Sequence, residues 1–257
     1  MKDEMYIDER GAGRDVVALH GTPQDPEELA DFAAGALPDA RVLTPHLPGY
    51  GRSRELPLDP EDPVSLGALE ARLARELRGP AVLFGVSGGA YRALALAARG
   101  RLPVAGVFAL AGFRRLDEAL AERLRGGAAA VEVGVDLSDA LVGSWFAPAF
   151  ARRQRATAEA IVERYVSSAH APTLVEELRA LASGADLEEG LARFSRPVEL
   201  QVGALDEATP PALSEEVAAC CPAARLVRLE GRGHLAHVEA PQQLGAALRA
   251  FAIRAAG

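Results

Sequence analysis

Leu83-Phe84-Gly85-Val86-Ser87-Gly88-Gly89-Ala90 decides how this chain is read. Residues 81–84 form a short apolar run with the length and composition of a buried strand, and an alanine-rich helical stretch follows Gly89. Gly85, Ser87 and Gly89 fall in the pattern G-x-S-x-G, which suits a sharp strand-to-helix turn with the serine Oγ exposed at the strand tip. Such a turn forces the serine into strained backbone geometry, and glycines at the flanking positions remove the Cβ clashes that would forbid it. The helix that follows aims its free N–H groups and positive dipole end at the reacting centre. The bland alternative is a glycine-rich turn with a bystander serine. Phosphate binding is disfavoured, because neither G-x-G-x-x-G nor G-x-x-x-x-G-K-[ST] is present.

Composition bounds the possibilities. The 257 residues suffice for one large α/β domain with an inserted subdomain, and 49% hydrophobic content supplies a sizeable core. A net charge of -8 disfavours nucleic acid or an anionic membrane as partner. Residues 1–10 are charged throughout, which is unlike a signal peptide, and no apolar run is long enough to span a bilayer. Cys220 and Cys221 are adjacent, a spacing that suits neither a disulfide nor a zinc site, so a reducing cytoplasm is the expected setting. No metal or organic cofactor is expected.

Apolar strand signals recur at 15–19, 41–44, 104–110, 197–202 and 225–229, with a short edge strand at 4–8. Between them lie helix signals: Asp25-Pro26-Glu27-Glu28 with Glu28 three residues after the cap, an apolar stripe of Leu66, Leu69, Leu73 and Leu77, a helix over 211–220, and a last helix from Pro241 burying Leu244, Leu248 and Phe251. Doubly apolar strands separated by helices imply a parallel sheet covered on both faces. Residues 113–194 lack strand signals and carry helical spacing. They read as a helical cap inserted into a core of residues 1–112 and 195–257, or else as longer crossover helices.

A serine attacks well only when a base takes its proton and an acid orients that base. Asp206 follows the strand ending at Val202, and His234 follows the strand ending at Leu229. Loops at the carboxyl ends of parallel strands converge on the edge that also carries the turn at Ser87. The chain order Ser87, Asp206, His234 is the order in which this type of fold presents its triad. Glu207 is the rival acid and His237 the rival base. Oxyanion donors are expected from the N–H of Gly88 and from the loop His20-Gly21-Thr22-Pro23, where the Thr22 N–H is the candidate.

With these pieces in view, the chain resembles the α/β-hydrolase superfamily. The matching stretches are His20-Gly21-Thr22, Pro48-Gly49-Tyr50-Gly51-Arg52-Ser53, Gly85-Val86-Ser87-Gly88-Gly89, Asp206 with Thr209-Pro210, and Gly233-His234. The resemblance implies an eight-stranded, mostly parallel sheet flanked by helices, with a helical cap after the sixth strand. Ser144-Trp145-Phe146-Ala147-Pro148-Ala149-Phe150 is similar to the cap stretch of 3-oxoadipate enol-lactone hydrolases, which often carry Arg where Ser144 stands. His46 stands where many relatives have Asp, and Ser87 argues against the dehalogenase and epoxide hydrolase branches, which use Asp there. The expected activity is cleavage of a small ester or lactone through an acyl-enzyme, by a monomer or homodimer. Trp145 and Phe146 either line the substrate pocket or fill the cap core. The alternatives are carbon–carbon bond hydrolysis, perhydrolysis, or a non-catalytic ligand-binding protein of the same fold.

Overall fold

The computed structural model describes residues 4–255. Seven strands form one sheet: β1 (Ile7–Gly11), β2 (Arg14–Leu19), β3 (Ala40–Pro45), β4 (Ala81–Val86), β5 (Val104–Leu110), β6 (Val198–Gly203) and β7 (Ala224–Leu229). Their spatial order is β1-β3-β2-β4-β5-β6-β7, and every pairing is parallel except that of β1 with β3. The expected eighth strand is not among the described residues, so the long helical excursion follows the fifth strand rather than the sixth. The residue-level signals had marked seven. The edge strand lies three residues later than expected, because its charged residues suit an edge: Glu9 accepts from Arg41 at 2.8 Å on both carboxylate oxygens. The expectation drawn from the charged residues 1–10 lies partly outside the described residues.

Side-chain alternation along the central strands builds a core on each face. On β4, Leu83 points to one side, while Val82, Phe84 and Val86 point to the other. The first side is covered by α2 (Leu66–Glu76), α3 (Gly88–Arg99) and α10 (Pro211–Cys220); the second by α1 (Pro26–Ala36) and α12 (Pro241–Ala255). A ladder of rings crosses the second side, Phe32 to Phe84 to Phe108 to Phe251, at centroid spacings of 5.9, 5.9 and 5.7 Å. Between β5 and β6 the chain forms six helices: α4 (Glu118–Glu132), α5 (Ser138–Trp145), α6 (Pro148–Arg153), α7 (Arg155–Ser168), α8 (Ala171–Ala182) and α9 (Glu188–Arg193). Of these, α9 packs against α3 of the body, where Gly190 abuts Ala98. α11 (Ala236–Glu239) is a single turn before α12.

Asp25 caps α1 as expected, accepting the Glu27 N–H at 2.8 Å, but Glu28 does not close a capping box. Its carboxylate turns inward to Tyr165 on α7. The loop after β3 is held by two histidines that act as acceptors. His20 Nε2 receives the Leu47 N–H at 3.2 Å, and His46 Nδ1 receives the Arg52 N–H at 3.0 Å. Accepting at a ring nitrogen requires the neutral ring. Burial pushes His20 down to about 3 and His46 down to about 4.

This carries a pH consequence. The unfolded His20 ring titrates near its ordinary value of about 6.5 and the folded one near 3, so the unfolded chain takes up the proton first as pH falls. Stability is therefore full above pH ~6.5 and declines between there and pH ~3, by about 1 kcal/mol per pH unit from this group. In thermal melts from pH 7.5 to 4.5, His20→Gln is expected to start lower than the parent protein and to lose less on acidification.

Candidate active site

At the tip of β4, Ser87 adopts φ 53° and ψ −117°. That conformation costs a non-glycine residue of order 1–3 kcal/mol and persists only when its surroundings enforce it. Here the Ser87 N–H donates to Leu110 O at 2.9 Å, and the Ser87 carbonyl accepts the Tyr91 N–H at 3.0 Å. The flanking glycines are dictated by contact between backbones. A Cβ on Gly85 would lie 2.3 Å from Gly89 O, and a Cβ on Gly89 would lie 2.0 Å from Leu19 O. No larger residue fits either position while α3 packs this closely on β2 and β4.

Ser87 opens into a cavity of about 280 Å³, whose wall also includes Thr22, Gly88, Trp145, Thr209 and His234. Asp206 and His234, 28 positions apart, meet at the ends of β6 and β7. His234 Nδ1 lies 2.9 Å from Asp206 Oδ2, and both residues are buried. The Asp206 carboxylate is itself fixed: Oδ1 accepts the N–H groups of Ala208 and Thr209 at 2.9 and 2.8 Å, and Oδ2 accepts the Thr209 hydroxyl at 3.1 Å. An ionised carboxylate can only accept, so the imidazole proton sits on Nδ1 and leaves Nε2 free to act as a base.

The rivals fall elsewhere. Glu207 is exposed. His237 is wholly buried away from the cavity, with Nε2 3.1 Å from Gln24 Nε2 and 3.3 Å from Tyr165 Oη. Trp145 and Phe146 separate as well. Trp145 lines the cavity, whereas Phe146 stacks on Phe150 at 5.3 Å within the apolar core of α5 to α7 and does not reach the cavity wall.

The loop after β2 comes beside the serine. A Cβ placed on Gly21 would lie 3.5 Å from Ser87 Cβ, and one placed on Gly88 would lie 2.8 Å from Thr22 Oγ1. Thr22 and Gly88 therefore face the same space as Ser87. Two networks that the sequence reading missed hold this loop. Gly21 N–H donates to Gln24 Oε1 at 2.7 Å, and Gln24 joins a buried group with Glu28, Tyr165 and His237. Burial alone would push the Glu28 carboxyl up; the neighbouring His237 and hydrogen bonds from His237, Tyr165 and Gln24 outweigh it and hold Glu28 down at about 2.

The second network centres on Glu177 of α8. Its Oε1 accepts the Thr22 hydroxyl at 2.8 Å and pairs with the Arg92 guanidinium, while Oε2 accepts the Tyr50 hydroxyl. Arg92 also donates from Nε to Val64 O at 2.9 Å. Arg92, Tyr50 and Glu177 are each 1% exposed or less. One sequence signal was available: Arg92 lies four residues from Gly88 and from Leu96, among small and apolar residues of α3, so a buried charge needing a partner was foreseeable. Its partner, 85 positions away, was not.

The loop carrying His234 is joined to the helical excursion. Glu239 Oε1 accepts the N–H groups of Gly233 and Ala147 at 3.0 and 2.8 Å, and Leu235 N–H donates to Trp145 O at 3.0 Å. Burial pushes the Glu239 carboxyl up. Ser144, preceding Trp145, also lines the cavity and presents a neutral hydroxyl there.

Comparison with known proteins agrees with this fold. The chain is 29% identical over 259 residues to a pimeloyl-[acyl-carrier protein] methyl ester esterase from Stenotrophomonas maltophilia (strain K279a), covering 96% of both proteins. Among solved structures, a thermophilic esterase from Thermogutta terrifontis superposes with a TM-score of 0.83 at 24% identity, covering 98% of this chain and 93% of that one. The enol-lactonase from Burkholderia xenovorans LB400 superposes with a TM-score of 0.80 at 21% identity, covering 96% and 95%. The family model described as the alpha/beta hydrolase family matches residues 16–247. The chain therefore belongs to the alpha/beta hydrolase family.

Proposed function

We propose that the protein is a serine hydrolase that cleaves a small carboxylic ester through a Ser87–His234–Asp206 triad. The observation that carries this reading is the 2.9 Å contact of His234 Nδ1 with Asp206 in the wall of the cavity that Ser87 enters. His234 Nε2 takes the Ser87 proton as Oγ attacks the ester carbonyl. The tetrahedral oxyanion lies against the N–H groups of Gly88 and Thr22. The imidazolium then gives its proton to the departing alcohol, leaving an acyl group on Ser87. Water, deprotonated by the same imidazole, attacks that acyl-enzyme, and the carboxylic acid leaves as Ser87 regains its proton. Asp206 holds the tautomer and stabilises the imidazolium.

Residues 113–194 act as the cap in this reading, with Trp145 as a wall of the substrate site. The methyl ester named for the Stenotrophomonas relative is a substrate of the same type. Ser144 supports an uncharged ester over an acidic lactone, since a neutral hydroxyl stands where the similar enol-lactonase stretch often carries Arg.

On p-nitrophenyl esters, Ser87→Ala is expected to reduce kcat by more than about 10³-fold and to abolish labelling by a fluorophosphonate probe, with unchanged circular dichroism. Retained turnover would refute the assignment. A folded parent protein that neither turns over esters nor takes the label would instead be a binding protein. Asp206→Asn is expected to lower kcat by about 10²–10⁴-fold near neutral pH, because an amide can present the wrong partner to Nδ1. Glu177→Gln leaves Arg92 buried without its counter-charge; an equilibrium unfolding curve should record a loss of about 3 kcal/mol. Its kcat should also fall, since Thr22 is no longer held by a carboxylate.

A further inference from the structure

The cavity at Ser87 does not end at the triad. Phe113, just beyond β5, stands in its wall, and α4 then carries the wall outward along one face through Leu120, Leu124, Gly127 and Val131. Spacings of four, three and four residues place these on a single stripe, about 16 Å from end to end. Beside them, on a helix packed directly against α4, α8 contributes Leu174, Leu178 and Leu181 at the same helical spacing. The cavity runs along the groove where these two aliphatic stripes meet. Its outer rim is apolar too: Val135 and Val166 line it while 53% and 39% exposed, and the neighbouring Val133 is 75% exposed. Among the polar groups of the wall, Thr22, Thr209 and His234 are at the serine, and Asp136 and Ser138 lie beside Val135. Arg123 directs its guanidinium to Glu207 O at 2.9 Å.

We propose that this slot between α4 and α8 is a binding site for an unbranched aliphatic chain joined to the scissile ester, and that Gly127 sets its usable length. The proposal rests on the ester-hydrolase reading for the chemistry at Ser87. The α4 stripe, about 16 Å long, gives an extended chain an apolar path leading away from the serine. An aliphatic wall recognises such a chain by burial alone, and it penalises a charged or hydroxylated chain that would lose its water without a partner. Gly127 is the gap in the stripe. A Cβ built there meets no atom within 4 Å, and its φ lies outside the left-handed region, so a side chain can enter the slot without straining α4.

The test is a chain-length series with p-nitrophenyl alkanoates on the acyl side and n-alkyl acetates on the alcohol side. In one of the two series, kcat/KM should rise by up to about fourfold per methylene until the slot is filled and then level off. That series identifies which arm of the ester lies in the slot. Gly127→Phe should lower kcat/KM for the eight-carbon member by at least about tenfold more than for the acetate. Gly126→Phe, on the exposed side of the same helix turn, should leave the profile unchanged. Flat profiles in both series, or a Gly127→Phe profile matching that of the parent, would overturn the proposal. Binding of methyl octanoate and methyl butyrate to Ser87→Ala by NMR titration separates the slot from the chemistry. Octanoate preference without turnover in the parent protein would sink the hydrolase reading and keep the slot. Turnover of acetate without any length preference would do the reverse.

Discussion

Contact between backbones at Gly89 and Leu19 is the constraint on which the rest of this structure depends. With no side chain between them, α3 settles onto the tip of β2, and Ser87 is left in a conformation that no unconstrained serine would keep. The strain is held by the surroundings: Leu110 accepts its N–H, Tyr91 donates to its carbonyl, and β4 itself is buried throughout. Because the same contact brings the end of β2 against the start of α3, it also delivers Gly21 and Thr22 to the side of the serine. One close approach thus positions both the hydroxyl and the loop that faces it.

The second requirement is electrostatic. Glu177 brings a carboxylate from α8 into the interior, where a lone charge would be untenable. It is tolerated because Arg92, Tyr50 and Thr22 satisfy both its oxygens. Such a pair adds little net stability over an apolar replacement, but breaking it is costly. Its effect is geometric: α3, the loops after β2 and β3, and the helical excursion all meet at one carboxylate. Glu239 makes a corresponding join on the other side, between the loop of His234 and the backbone after Phe146. The helices above the sheet are therefore bonded to both walls of the site rather than resting on it. The fixed polar groups gather near Ser87, while the space leading outward between α4 and α8 is aliphatic. Hydrogen bonds are concentrated where charge would develop.

Much of this was legible in the chain. Strands apolar on both faces can belong only to a covered parallel sheet, and such a sheet sends the ends of β4, β6 and β7 to one edge. Local chemistry plus that topology was enough to bring Ser87, Asp206 and His234 into one neighbourhood and to mark Thr22 and Gly88 as their neighbours. What the chain alone could not settle was anything decided by which face of a helix turns inward. His234 reads as the base and His237, three residues on, as its rival. Only the packing of α1 and α7 sends His237 into a buried polar group while His234 faces the cavity. Trp145 and Phe146, adjacent in sequence, part in the same way. Glu28 has the position of a capping residue and instead bonds to Tyr165, because a buried hydroxyl offers a carboxylate more than a solvated N–H does. Periodicity and motif are short-range properties, and they determined the sheet, the turn and the side chains that gather at its edge. Partners 85 or more positions apart, such as Arg92 with Glu177, and voids such as the slot between α4 and α8 arise only when folded surfaces meet. Those were decided by the tertiary structure.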